Sequence, residues 1–208
     1  MKKPSTRAAP RPYHHGDLRA VILVAAAKIL EKEGIDALTV RGVARAVGVS
    51  HTASKNHFGD LEGLLSELAA VGYLRYGEAL SSAMNKTGTD PRLRLRAMGR
   101  AYVGFARAHP GMFMLMFRSE RLDMKRPALQ EAIEVTRQSL RAATTSAASV
   151  GSLPPLQLAA RSTASWALVH GFAMLLLDGR LQNTLASLPD GNEDALLEAV
   201  LDAVRVNE

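Results

Sequence analysis

The chain has 208 residues, 47 % of them hydrophobic and 22 % charged, a globular balance that excludes disorder of the whole chain. No apolar run approaches the ~20 residues that a membrane span needs, and the length allows a sizeable core. The lack of cysteine excludes disulfide scaffolds, thiolate metal sites and cysteine nucleophiles. The net charge of +6 is uneven: residues 1–60 carry 10 basic and 5 acidic side chains, whereas residues 61–208 carry 16 and 15. A basic N-terminal part on a nearly neutral body points to a polyanion contact at one end. A flexible basic tail kept for solubility is the plainer alternative.

The start, MKKPSTRAAPRPYHHGD, has no apolar signal core, so a cytoplasmic protein is expected. Residues 1–12 read as a disordered basic tail, with Pro4, Pro10 and Pro12 and scarcely an apolar side chain. Beyond it the hydrophobic period is helical nearly everywhere and strand-like alternation is missing, which predicts an all-α protein of about nine helices.

The first helix is expected over 17–33, with Leu18, Ile22, Ala25 and Ile29 inward, Val21 and Leu30 widening the stripe, and Gly34 closing it. Thr39 caps a short second helix with Val40, Val43, Ala44 and Val47 as its inner face. Gly48 stops it, Ser50 caps a short polar third helix, and Asp60 starts a longer fourth carrying Leu61, Leu64, Leu65, Leu68 and Val71. The pattern breaks at Lys-Thr-Gly-Thr-Asp, residues 86–90. Asp90-Pro91 then opens a helix that ends at His109-Pro110. A brief apolar segment at 112–117 precedes helices over about 127–149, 156–180 and 193–206.

The informative stretch is TVRGVARAVGVSHTASKNHF, residues 39–58: capped helix, glycine turn, capped helix. This is the arithmetic of a helix-turn-helix. Val49, Ala53 and Phe58 can anchor the second of these helices. His51, Thr52, Ser54, Lys55, Asn56 and His57 are then left to project outward, and such donors suit base edges and phosphates. An ordinary helical hairpin with a solvated face would show the same pattern.

The stretches PYHHGDLRAVILVAAAKILEKEG and TVRGVARAVGVSHTASKNHFGDLEGLL resemble the DNA-binding domain of tetracycline-repressor-type (TetR) transcriptional regulators. Trp166-Ala-Leu-Val-His170-Gly171 resembles the Trp-x-x-x-His-Gly signature of one C-terminal subclass. The resemblance implies a helix-turn-helix domain over 13–60 and a helical effector-binding and dimerisation domain over 61–208. It implies a homodimeric repressor on a palindromic operator of double-stranded DNA, released by a small-molecule effector. Phosphate contacts fall on Thr39 and Arg41, and base and backbone contacts on Ser50, His51, Thr52, Ser54 and Lys55. Two positions depart from the pattern: relatives usually carry tyrosine where this chain has Lys55, and lysine where it has Leu61. Lys55 can reach a phosphate as a point charge, whereas Leu61 cannot. DNA binding is expected to survive with an altered operator preference. Arg7 and Arg11 stand where arms of other helix-turn-helix proteins enter a minor groove, unless the tail is simply solvated.

In the body, Tyr102, Phe105, Met112, Phe113, Met116, Phe117, Trp166, His170 and Met174 are the candidate ligand-binding residues. A buried tryptophan and histidine among methionines and aromatics would suit an apolar or weakly polar effector. Such a stripe at helical spacing also describes a plain core. The last two helices are the expected dimer face, through Leu196, Leu197, Val200, Leu201 and Val204 and through the small Ala159, Ser162, Thr163 and Ala167. No catalytic residue, metal site or cofactor is expected: histidines and carboxylates lack ligand spacing, and no phosphate loop or nucleophile elbow occurs. No membrane contact is expected either, since no basic amphipathic helix is present. The competing readings are a helical interaction module, which would show no salt-dependent DNA affinity, and a DNA binder without an effector.

Overall fold

A computed structural model describes residues 15–117, 119–145 and 154–203. Among these residues the structure is entirely helical. Ten α-helices run α1 (His15–Glu33), α2 (Val40–Ala46), α3 (His51–Phe58), α4 (Leu61–Asn85), α5 (Pro91–Ala108), α6 (Pro110–Met116), α7 (Pro127–Thr145), α8 (Pro155–Leu177), α9 (Gln182–Ala186) and α10 (Glu193–Ala203). Two 3-10 turns, Ile35–Ala37 and Ser119–Arg121, join neighbouring helices. The apolar segment at 112–117 thus falls largely in a short helix of its own, α6, and α9 is an element the periodicity did not announce. The expected tail, with Arg7 and Arg11, lies outside the described residues, as do the expected helix ends beyond Thr145 and Ala203.

The caps form as the sequence requires. Thr39 Oγ1 accepts from Gly42 N–H at 2.9 Å, Ser50 Oγ from Ala53 N–H at 3.1 Å and Asp60 Oδ1 from Gly63 N–H at 2.8 Å. Each satisfies a helix-start donor that would otherwise lack an intrahelical partner. Between α2 and α3 the chain reverses through Gly48 at φ 73°, a conformation open to glycine without a Cβ penalty.

The first helix buries part of the expected stripe, Leu18, Ile22 and Leu30, and adds Leu23 and Ala26 beside it, whereas Val21, Ala25 and Ile29 are half-buried. The reason is that α1 packs against four helices, α2, α3, α4 and α6, which together cover more than one stripe. Helix α2 buries Val40, Val43 and Ala44, α3 buries Phe58, and α4 sends Leu64, Leu65 and Leu68 up from below. These belong to one continuous core that runs on through Tyr76, Leu80, Tyr102, Phe113, Leu129 and Phe172. Helix α4 carries it from one end to the other, packing chiefly against α7 and α5.

Ionic contacts tie the N-terminal helices to the body. Glu67 of α4, nearly buried, accepts from Arg126 Nε at 2.9 Å and from Arg19 of α1. Arg121 reaches Asp36 at 2.8 Å. At the other end, Arg96 and Arg100 of α5 hold Glu198 and Asp202 of α10. The α10 stripe expected at an exposed interface turns largely inward instead. Leu197 is buried, and Leu196, Val200 and Leu201 pack on the core, drawn there by α5. Val204 lies outside the described residues.

Candidate functional site

Helices α2 and α3 present the basic, polar face that the charge split anticipates. On α2, Arg41 and Arg45 are both exposed and one turn apart, so they share a side of the helix. Arg45 was not among the sequence candidates, although its spacing from Arg41 was the signal that could have found it. On α3, His51, Thr52, Lys55 and Asn56 are exposed and His57 is half-buried, its ring 6.1 Å from that of Phe58. Thr39 and Ser50 are exposed with their hydroxyls engaged in capping. An N-cap hydroxyl keeps its own proton free to donate to a phosphate while its oxygen accepts.

Ser54 departs from expectation. It is 0 % exposed and its hydroxyl meets no partner, so it does not face outward. It lies one turn before Phe58 on the inward side of α3, and residues four apart share a helix face. Leu61, at the first turn of α4, is exposed. An apolar side chain therefore occupies the surface where the related pattern carries a cation.

The candidate ligand residues divide. Tyr102, Phe113, Phe117, Trp166 and His170 come together around the imidazole. Its ring centre lies 4.8 Å from Phe117, 5.7 Å from both Phe113 and Trp166, and 6.3 Å from Tyr102. The Tyr102 hydroxyl and His170 Nδ1 share a hydrogen bond of 2.8 Å. Burial holds the imidazole below its ordinary pKa and so keeps it neutral near pH 7. Burial pushes the Tyr102 hydroxyl up, partly opposed by the nearby Trp166 indole.

Trp166 is not buried as expected. It is 52 % exposed, on a part of α8 where every side chain from 155 to 164 is also open to solvent. Phe105 and Met112 belong elsewhere: Phe105 packs edge-on against Tyr76 and meets the His109 ring at a tilt of 57°, and both residues line a separate cleft beside α1. Met116 lies with Met112 over Gly72 of α4, and Met174 is half-buried against the core. Among the described residues, no group of three histidine or carboxylate side chains is placed to hold a metal, and no helix is long and apolar enough to cross a membrane.

A short helix capped at its start, held from behind by Phe58 and showing imidazole, hydroxyl, ammonium and amide groups to solvent is the working part of a helix-turn-helix DNA-binding regulator. Residues 22–68 match the family model described as bacterial regulatory proteins, tetR family, and residues 95–204 match the tetracyclin repressor-like C-terminal domain. Together these matches span well over half of the chain, and the chain belongs to the TetR family of transcriptional regulators, which are DNA-binding proteins rather than enzymes.

A solved structure from Rhodococcus sp. RHA1, of unknown function, is 33 % identical with a TM-score of 0.73, covering 93 % of this chain and 98 % of its own. The regulatory protein SCO4313 shares the fold at 21 % identity and a TM-score of 0.71, over 96 % of this chain and 100 % of its own. The Thermus thermophilus regulator PfmR shares it at 22 % and 0.56, over 88 % and 98 %. The curated relative YobS of Bacillus subtilis, an uncharacterized HTH-type transcriptional regulator, is 24 % identical over 98 residues. That match spans 47 % of this chain and about half of the relative's length.

Proposed function

We propose that the chain is a homodimeric repressor that binds a (pseudo)palindromic operator through α3 of each subunit and leaves it when a small apolar effector binds beside His170. The observation that carries the DNA reading is the outward set His51, Thr52, Lys55 and Asn56 on a helix whose inner side is fixed by Ser54 and Phe58. Arg41 and Arg45 of α2 and the hydroxyls of Thr39 and Ser50 supply phosphate contacts, which set register, while α3 reads bases.

On this reading residues 13–60 form the DNA-binding unit and 61–208 the effector and dimer unit, in the cytoplasm, with residues 1–12 a basic tail ahead of them. The dimer reading is supported by α8, whose first three turns expose Leu156, Leu158, Ala159, Ser162 and Thr163, with Leu156 81 % exposed. The effector reading is supported by one polar pair, Tyr102 and His170, inside a set of aromatic rings, with half-open Trp166 at its edge. This is also where the Trp-x-x-x-His-Gly subclass resemblance falls. An effector favouring a splayed dimer would separate the two α3 helices from their half-sites by population shift.

The test is DNA binding at several salt concentrations, with the promoter beside the protein's own gene against a scrambled control. Preference for the promoter with a steep salt dependence supports the proposal. Equal, salt-dependent binding to both leaves a charge-driven binder, and no binding by a folded dimer moves the reading to a helical interaction module.

A further inference from the structure

A cleft of about 430 Å³ opens in the molecule away from His170, where the last two turns of α1 meet α4, the end of α5 and the start of α6. Its walls are Ala27, Phe105 and Met112, with the His109 ring tilted against Phe105 at 5.1 Å. Its rim is Lys28, Lys32 and Arg75, all exposed, with Glu31 between them.

The charges at this rim are not balanced. Glu31 already spends both oxygens on α6, accepting from Gly111 N–H at 2.9 Å and Met112 N–H at 3.1 Å. Among the described residues, no carboxylate lies within ion-pair distance of Lys28, Lys32 or Arg75. Three cations facing one committed carboxylate above an apolar floor make a surface with a surplus of positive charge and dry wall area at the same place. Lys28 and Lys32 stand one turn apart on α1, and Arg75 approaches from α4, so the cations converge from two elements.

We propose that this cleft binds an organic carboxylate with a compact apolar body, the carboxylate among Lys28, Lys32 and Arg75 and the body against Phe105 and Met112. Charge-assisted hydrogen bonds orient the head, and burial of the body supplies the rest. The volume falls in the ~300–1,000 Å³ range of small-molecule sites. The site is distinct from the aromatic cluster at His170 and needs neither DNA binding nor an effector there. Because its walls come from α1 on one side and from α4, α5 and α6 on the other, an occupant touches both sides of that junction at once.

The experiment is calorimetric titration of the full chain, without DNA, with octanoate, 1-octanol and inorganic phosphate. Octanoate should bind saturably, and 1-octanol and phosphate at least tenfold more weakly, since each offers only half of the recognition. A Lys28→Gln/Arg75→Gln variant should weaken octanoate tenfold or more, and Ala27→Trp should block it by filling the cleft. All three positions lie at the surface or are only half-buried, so the variants should fold. His170→Phe should leave octanoate affinity unchanged. Absence of saturable binding, equal affinity for 1-octanol or for phosphate, or loss through His170→Phe while Lys28→Gln/Arg75→Gln has no effect would each overturn the proposal. The 1-octanol and phosphate titrations are repeated in His170→Phe, so that an apolar compound bound beside His170 is not counted as binding to this cleft.

Discussion

The carboxylate of Glu31, at the end of α1, accepts the backbone N–H of Gly111 at 2.9 Å, at the start of α6. A side chain from the N-terminal helices thus caps a helix of the body and satisfies donors that α6 cannot satisfy itself. The approach is close enough that a Cβ on Gly111 would stand 2.7 Å from the Leu30 carbonyl oxygen.

Gly111→Ala should therefore destabilise the protein by about 2 kcal/mol, because backbone rather than a pliable side chain lies in the way. Glu31→Ala should cost less, about 1 kcal/mol, as for the loss of other caps. Urea denaturation of the two variants checks both values and their order.

Lys55→Ala should weaken binding to any DNA and lower the slope of log affinity against log salt by about one. Ser54→Ala should leave that slope unchanged and fold at least as well as the parent, since the buried hydroxyl has no partner to lose. Filter binding across a salt series, with a thermal melt of each variant, separates the two neighbouring positions.

Thr163→Arg, on the exposed face of α8, should convert a dimer to a monomer without lowering helix content. Sedimentation velocity and circular dichroism report these two properties. A variant that stays dimeric would remove α8 from the interface.

Burial lowers the His170 pKa, so the folded state resists taking a proton that the unfolded chain accepts at about pH 6.5. Its contribution to stability is complete above that pH and is lost progressively below it. His170→Phe should flatten the fall in stability as the pH drops below about 6.5, measured by denaturant unfolding at each pH.

Hydrogen bonds from Arg100 and Arg96 hold the Glu198 carboxyl down to about 2. A depressed carboxylate stabilises the fold above its unfolded value near about 4.3 and loses that contribution as the pH falls toward the folded one. Because Glu198 is about one-third exposed, solvent screening keeps the effect small. Amide protection factors in α10, taken relative to the intrinsic exchange rate at each pH, should fall between about pH 4 and about pH 2 in the parent and be lowered already at about pH 6 in Glu198→Gln.

The elements most visible in the sequence were those closed by side-chain chemistry: Thr39, Ser50 and Asp60 announce α2, α3 and α4, and each forms its cap. What residue type alone misplaced was orientation. Ser54 looks like a DNA contact because serine is polar, yet its spacing from Phe58 puts it inside. Trp166 looks like core because tryptophan is apolar, yet nothing within the described chain covers that part of α8. On α1, Leu18, Ile22 and Leu30 were legible as inward, whereas Leu23 and Ala26 were not, because a helix packed against four others buries more than one stripe. The aromatic set at His170 was legible as composition, but its separation from Phe105 and Met112 was not. That depends on which way α5 and α6 turn their successive faces, which no linear pattern encodes.

Helix α4 spans 25 residues without a break, which at about 1.5 Å per residue makes a rod about 37 Å long. Its first turns hold Phe58 and the back of α3 in place, and its later turns carry Tyr73 and Tyr76 among the rings of the body. A lever of that length converts a tilt of about 5° at one end into a displacement of about 3 Å at the other. That is comparable to the length of one hydrogen bond, enough to take a side chain out of reach of a base edge.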